Sequence, residues 1–82
     1  MQKSLFSSDY KRFLTLLREK RKHLGFTQEQ VAERLQTTQS FISKCERGER
    51  RLDVIELKAW CNTLNISLSD FVSELDSVLE QT

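Results

Sequence analysis

Residues 27–48, TQEQVAERLQTTQSFISKCERG, narrow the choice of folds more than any other stretch of this chain. Two segments of helical periodicity are separated by only three polar residues, Gln36, Thr37 and Thr38. Val31, Ala32 and Leu35 mark the inner face of the first segment, and Ile42 and Cys45 that of the second. Thr27 is placed to cap the first segment, with Gln30 completing a capping box. Thr38 caps the second, Gln39 to Arg47, and Gly48 closes it. Ala32 is small enough for another helix to cross closely. The outer face of the second segment is left polar, with Gln39, Ser40, Ser43 and Lys44.

Two short helices, a tight turn and a polar outer face form the pattern of a helix-turn-helix, whose second helix enters the DNA major groove. The flanking chain extends the helical reading. Residues 1–8 read as a lead-in whose Leu5 and Phe6 are able to fold back onto the domain, with Ser7 or Ser8 as a first cap. Tyr10, Phe13, Leu14, Leu17, Arg21 and Leu24 then recur on one helix face, and Gly25 ends that helix. Lys11, Arg12, Arg18, Lys20 and Lys22 occupy its other face. Asp53 caps a fourth helix with Glu56 three residues later. Val54, Leu57, Cys61 and Leu64 share its inner face, Ile55 and Trp60 lie close beside it, and Asn65 is a left-handed stop. Ser67 caps a fifth helix over residues 67–81, where Leu68, Phe71, Val72, Leu75, Val78 and Leu79 give a wide apolar stripe. The expectation is one all-α domain of five helices spanning residues 1–82.

The chain contains no Pro and two Gly among 82 residues, which favours helices joined by short turns. Its net charge of +1 conceals an uneven distribution. Residues 1–51 carry twelve Lys/Arg against six Asp/Glu, and residues 52–82 carry one against six. A basic front and an acidic tail piece suit a polyanion-facing surface at one end, although lopsided charge is also common in small proteins. Cys45 and Cys61 are too few and too far apart for a metal cluster and sit at apolar helix positions, so both read as small buried hydrophobes. His23 stands alone near a helix C-terminus, where partial positive charge is welcome. With no metal-ligand spacing, paired carboxylates, phosphate loop or nucleophile–base set, no enzyme, metal or cofactor is expected. No run approaches the roughly 18 apolar residues of a membrane span, and no signal peptide opens the chain; a cytoplasmic, nucleoid-associated protein is expected.

LREKRKHLGFTQEQVAERL, the turn, and SFISKCERGERRLDVIELKAWCNTLNIS together resemble the Cro/repressor family of helix-turn-helix proteins, the lambdoid phage repressor type. The resemblance covers roughly Tyr10 to Phe71. It implies a lambda-repressor-like five-helix domain, major-groove docking on double-stranded DNA and binding as a homodimer. By that resemblance Gln39, Ser40 and Lys44 are base-contacting positions, and Ser43 between them reaches sugar-phosphate or a base edge. A Gln can pair with adenine N6 and N7, and a Lys can donate to guanine O6 or N7. Gln28 matches a residue that contacts phosphate and orients the first base-reading side chain. Backbone N–H groups at Thr27 and Thr38, where the second and third helices start, are natural phosphate ligands. Arg50 and Arg51 are well placed for adjacent phosphates; Arg47 is either a further contact or a solvated side chain. Phe41 either touches a thymine methyl or packs against the second helix.

Arg21 and Glu46 match a partly buried ion pair of the family, and an unpaired Arg21 on an apolar stripe would be costly. They are expected to be structural. The family's turn usually opens with Gly where this chain has Gln36, which in a left-handed conformation costs on the order of 1 kcal/mol.

Leu75, Val78 and Leu79 extend the last helix's stripe beyond an obvious core need and are the candidate dimer contacts. The bland alternative is that they complete the core. Dimerisation would let the protein read two half-sites about 34 Å apart in a near-palindromic operator. The competing function is a protein-interaction module, such as an antitoxin or adaptor, that offers the acidic fifth helix (Asp70, Glu74, Asp76, Glu80) to a protein partner.

Overall fold

Short-range capping chemistry sets the element boundaries in the computed structural model, which describes residues 8–81. The order is α1 (Ser8–His23), α2 (Gln28–Leu35), α3 (Gln39–Arg47), α4 (Val54–Thr63) and α5 (Leu68–Glu80). Ser7, Leu5 and Phe6 lie outside the described residues. Thr27 and Gln30 exchange the two bonds of a capping box, as do Asp53 and Glu56. Thr38 accepts from the Phe41 N–H and Ser67 from the Asp70 N–H. Each cap satisfies a backbone donor that the first helical turn leaves open.

The four connections end their helices in one way. A residue of positive φ follows each of the first four helices, at Gly25 (84°), Gln36 (59°), Gly48 (83°) and Asn65 (62°). The next backbone N–H then reaches back to a carbonyl five residues earlier: Phe26 to Arg21, Thr37 to Ala32, Glu49 to Lys44 and Ile66 to Cys61, at 2.9–3.0 Å. Gln36 is therefore in the strained conformation that the family resemblance implies, and the closing bonds hold it there.

Trp60, Phe71, Leu17, Ile42, Leu64, Val31, Cys45 and Cys61 are the largest fully buried side chains. They come from all five helices, with α1 packed on α3 and α5, α2 on α3 and α4, and α4 on α5. Ala32 is 4% exposed, so the small residue in α2 lies at a close approach. Phe41 packs against this core rather than standing free.

Five apolar positions depart from the periodicity reading. Leu24 is 42% exposed because α1 has already ended at His23 and the chain turns at Gly25. Val54 and Ile55 are 62% and 73% exposed: they form the first turn of α4, which leads away from the core before Leu57. Val72 is 44% exposed on the outer side of α5. Leu16, which was not on the expected α1 face, is buried at 8%.

Candidate nucleic-acid interface

A buried ion pair lies beneath the outer face of α3. Arg21 Nε and a terminal guanidinium N–H donate to the two Glu46 oxygens at 2.6 and 3.1 Å, and the other terminal group donates to the Phe26 carbonyl at 2.9 Å. The two side chains are only 8% and 3% exposed. Charges at that depth are tolerable only when their donors and acceptors are met, and here the fork-shaped guanidinium meets both carboxylate oxygens.

Glu46 carries the network outward. Its Oε1 accepts from Gln28 Nε2 at 2.9 Å, and Gln28 Oε1 in turn accepts from Gln39 Nε2 at 3.1 Å. A carboxylate engaged in an ion pair has no proton to donate, so it dictates the direction of every bond above it. Gln28 must turn its amide nitrogen down and its oxygen up. Gln39 must then spend one N–H on Gln28, leaving its second N–H and its oxygen uncommitted. A donor and an acceptor side by side on one amide match an adenine edge.

Ser40 and Lys44 are exposed and make no side-chain hydrogen bond among the described residues. Ser43 is half-buried, and its hydroxyl accepts from Arg47. Arg47 is also paired with Glu49 at 2.8 Å, which holds that carboxyl below its ordinary range. Thr27, Gln28 and Gln39 line one shallow cleft that also includes Gly25 and Phe26. Thr38 caps α3, and the Gln28–Gln39 bond brings the starts of α2 and α3 together.

Arg50 and Arg51 are built in more firmly than solvated arginines. Arg50 bonds both Glu56 oxygens at 3.0 and 2.7 Å, donates to the Arg51 carbonyl at 2.7 Å and lies over the Phe41 ring at 4.9 Å. That guanidinium, followed by the Asp53 backbone N–H, lowers the Glu56 pKa. Arg51 sits 4.0 Å over the Tyr10 ring, whose hydroxyl accepts from the Leu52 N–H. A polyanion approaching Arg47 or Arg50 would compete with Glu49 or Glu56 respectively. The seats of these arginines, Glu56, Phe41 and Tyr10, escaped the sequence reading. Sequence spacing marks Glu56 only as a cap, and nothing local joins Tyr10 to a loop forty residues on.

The three candidate dimer residues line two grooves. Leu75 and Leu79 line a groove with Ser69, Val72, Ser73 and Asp76, whereas Val78 faces a different groove bordered by Lys11, Arg12, Thr15 and Leu16. Lys20 and Glu74, 2.6 Å apart, tie α5 to α1. Cys45 and Cys61 are buried and unpaired, and burial raises both thiol pKa values. Among the described residues no cluster of metal-ligating side chains occurs, and no helix is long and apolar enough to cross a membrane.

Comparison with known proteins places this geometry. Among curated proteins no sequence matches significantly. Among solved structures, an XRE-family like protein from Pseudomonas syringae pv. tomato is 41% identical over 87% of each chain, with a TM-score of 0.82. A point mutant of the restriction–modification controller protein C.Esp1396I is 25% identical over 93% of this chain and 100% of its own, with a TM-score of 0.80. The clp gene regulator ClgR from C. glutamicum shares the fold, at 23% identity over 90% and 96% of the two chains and a TM-score of 0.76. A helix-turn-helix family model matches residues 17–71, which hold Arg21, the α2–α3 unit and the network from Glu46 to Gln39. The chain belongs to the Cro/C1-type, XRE-like helix-turn-helix family of DNA-binding proteins.

Proposed function

We propose that this chain is a transcriptional regulator that binds a near-palindromic double-stranded DNA operator as a homodimer, with α3 in the major groove. The observation that carries the reading is the one-way chain Glu46, Gln28, Gln39, which holds a base-sized donor–acceptor pair at the start of α3. An amide merely serving as solvated surface has no need of an anchored orientation. Gln39, Ser40, Ser43 and Lys44 read base edges. Thr27, Gln28 and Thr38 meet phosphates through the helix starts, and Arg50 and Arg51 grip the adjacent backbone. Arg21 and Glu46 are scaffold to that surface.

A single recognition helix covers too few base pairs for useful selectivity, and two-fold pairing doubles the site. Val72, Leu75 and Leu79 form the apolar groove on α5 that a second copy would cover. Val78, packed toward α1, contributes less to it.

Selection from randomised duplexes, followed by sequencing, tests the reading. The expected result is one enriched inverted repeat with half-site centres about one helical turn apart. Its affinity should fall with log salt at roughly 0.9 per neutralised phosphate. Equal affinity for the enriched and a scrambled duplex defeats it. A stoichiometric host protein recovered in place of any enriched duplex would point to the adaptor role instead.

A further inference from the structure

Ser43 lies on the outer face of α3, one helical turn before Arg47. Its hydroxyl accepts from Nη1 of Arg47. The other edge of the same guanidinium, Nε and Nη2, donates to the two Glu49 oxygens at 2.8 and 3.3 Å. Glu49 is within reach because the chain reverses at Gly48, where φ is 83°, and the Glu49 N–H closes onto the Lys44 carbonyl at 2.9 Å. An exposed ion pair contributes little to stability. A forked one fixes the plane of the guanidinium, and that plane aims Nη1 at Ser43. The proton of Ser43 meets no acceptor among the described residues. Thr63 shows the usual outlet, giving its hydroxyl proton to the Ala59 carbonyl four residues back at 3.1 Å. Ser43 makes no such bond to Gln39 among the described residues.

A hydroxyl has one proton and two lone pairs. Here a cation occupies one lone pair, which polarises the O–H toward donating and sets positive charge against any second donor. We propose that Arg47 is a positioning residue that fixes Ser43 as a hydrogen-bond donor. At this point α3 then selects a base presenting an acceptor, thymine O4 or guanine O6, over one presenting an amino group. This role rests on the DNA-binding reading above. It differs from the phosphate grip of Arg50 and Arg51, because Glu49 already occupies the fork of Arg47. The reading surface has two orienting devices. Glu46 acts through Gln28 on Gln39, and Glu49 acts through Arg47 on Ser43.

Selection from randomised duplexes with the full chain and with Ser43→Ala identifies the pair that Ser43 reads, as the one whose preference falls in the variant. At that pair, 5-methylcytosine in place of thymine, or 2,6-diaminopurine in place of guanine, exchanges the groove oxygen for an amino group. The unsubstituted chain is expected to bind the amino duplex about three- to tenfold more weakly, the contribution of one neutral hydrogen bond. Arg47→Met should lose most of that discrimination and keep the preference at the Gln39 pair. Arg47→Lys, whose ammonium can donate to Ser43 and cannot accept, should restore it. Arg47 is exposed, so the melting temperatures of both variants should match that of the unsubstituted chain. Loss of affinity for all duplexes alike in Arg47→Met, with a salt slope smaller by about 0.9, makes Arg47 a phosphate contact and overturns the proposal. Undiminished discrimination in Arg47→Met overturns it too. So does equal binding of the two duplexes by the unsubstituted chain, or the absence of any pair sensitive to Ser43→Ala. Failure of every chain to enrich a duplex would instead defeat the DNA-binding reading, and this role with it.

Discussion

Gln39 gives one amide proton to Gln28 across 3.1 Å, and Gln28 has no freedom to reverse that bond because its own nitrogen is committed to Glu46 at 2.9 Å. The orientation of the outermost side chain is thus set by the innermost charge. Gln39→Ala is expected to cost about 1–3 kcal/mol of operator binding and to relax base preference at the contacted pair. Gln28→Leu keeps Gln39 but releases its amide. It should lower discrimination at that same pair more than it lowers affinity for a non-operator duplex. Competition binding against single-base operator variants measures both. Discrimination that stays unchanged in Gln28→Leu rules out the orienting role.

Glu46→Ala leaves Arg21 buried without its partner and should cost about 3–5 kcal/mol of folding stability in urea denaturation. Replacing both residues by apolar ones of similar size, Arg21→Met with Glu46→Leu, should recover most of that loss. The double variant should still bind its operator poorly, since Gln28 loses its anchor. Stability and recognition would then separate in one pair of measurements.

The network also indicates how far residue order alone can lead. Spacing and capping residues locate all five helices, because caps and left-handed stops are local chemistry: Thr27 with Gln30, Asp53 with Glu56, and Asn65 need no knowledge of the rest of the chain. The outward set Gln39, Ser40 and Lys44 is legible for the same reason, as the polar complement of Ile42 and Cys45. Periodicity fails at element ends. Leu24 and Val54 have the right phase but sit where the helix has stopped or has yet to reach the core. The clamps on Arg50 and Arg51 are tertiary, made by Glu56 from the next helix and Tyr10 from the first, and no pattern within a single segment encodes them.

Gln36 adopts φ 59° and gains no φ-positive advantage from its side chain, so Gln36→Gly should raise stability by up to about 1 kcal/mol, the relieved strain being partly offset by a more flexible unfolded chain. The glycines differ. A Cβ on Gly48 would lie 3.2 Å from Leu14 Cδ1, whereas one on Gly25 meets nothing within 4 Å. Gly48→Ala is therefore expected to lower the melting temperature more than Gly25→Ala, although both adopt positive φ.

The thiols of Cys45 and Cys61 are both shifted upward by burial. An acid whose pKa is higher in the folded than in the unfolded state favours folding below its ordinary value and loses that advantage as pH rises through it. Stability should accordingly decline on the alkaline side of 9.0, the ordinary thiol value. The decline should be smaller in Cys45→Ala with Cys61→Ala, measured relative to that variant's own neutral-pH stability. Under native conditions neither thiol should react with a bulky disulfide reagent until the chain opens.

On α5, Leu79→Lys places a charge in the groove shared with Leu75 and Val72. Because Leu79 is only half-buried in the single chain, folding should be little affected while self-association weakens. Sedimentation equilibrium gives the dimer constant directly, and an unaltered constant excludes this groove as the contact.

The uneven anchoring of α3 has an evolutionary consequence. Ser40 and Lys44 project from the helix without side-chain hydrogen bonds in the described protein, so their replacement disturbs no neighbour. Gln39 is the outer end of a chain that runs through Gln28 to a core ion pair. If these side chains read bases as proposed, descendants of this sequence can drift toward new operators one step at a time at positions 40 and 44. On the same proposal, a replacement at position 39 also removes the donor to the Gln28 oxygen, so its effect reaches beyond its own side chain. Retargeting by point mutation would then be independent of neighbours at positions 40 and 44 and coupled to Gln28 at position 39.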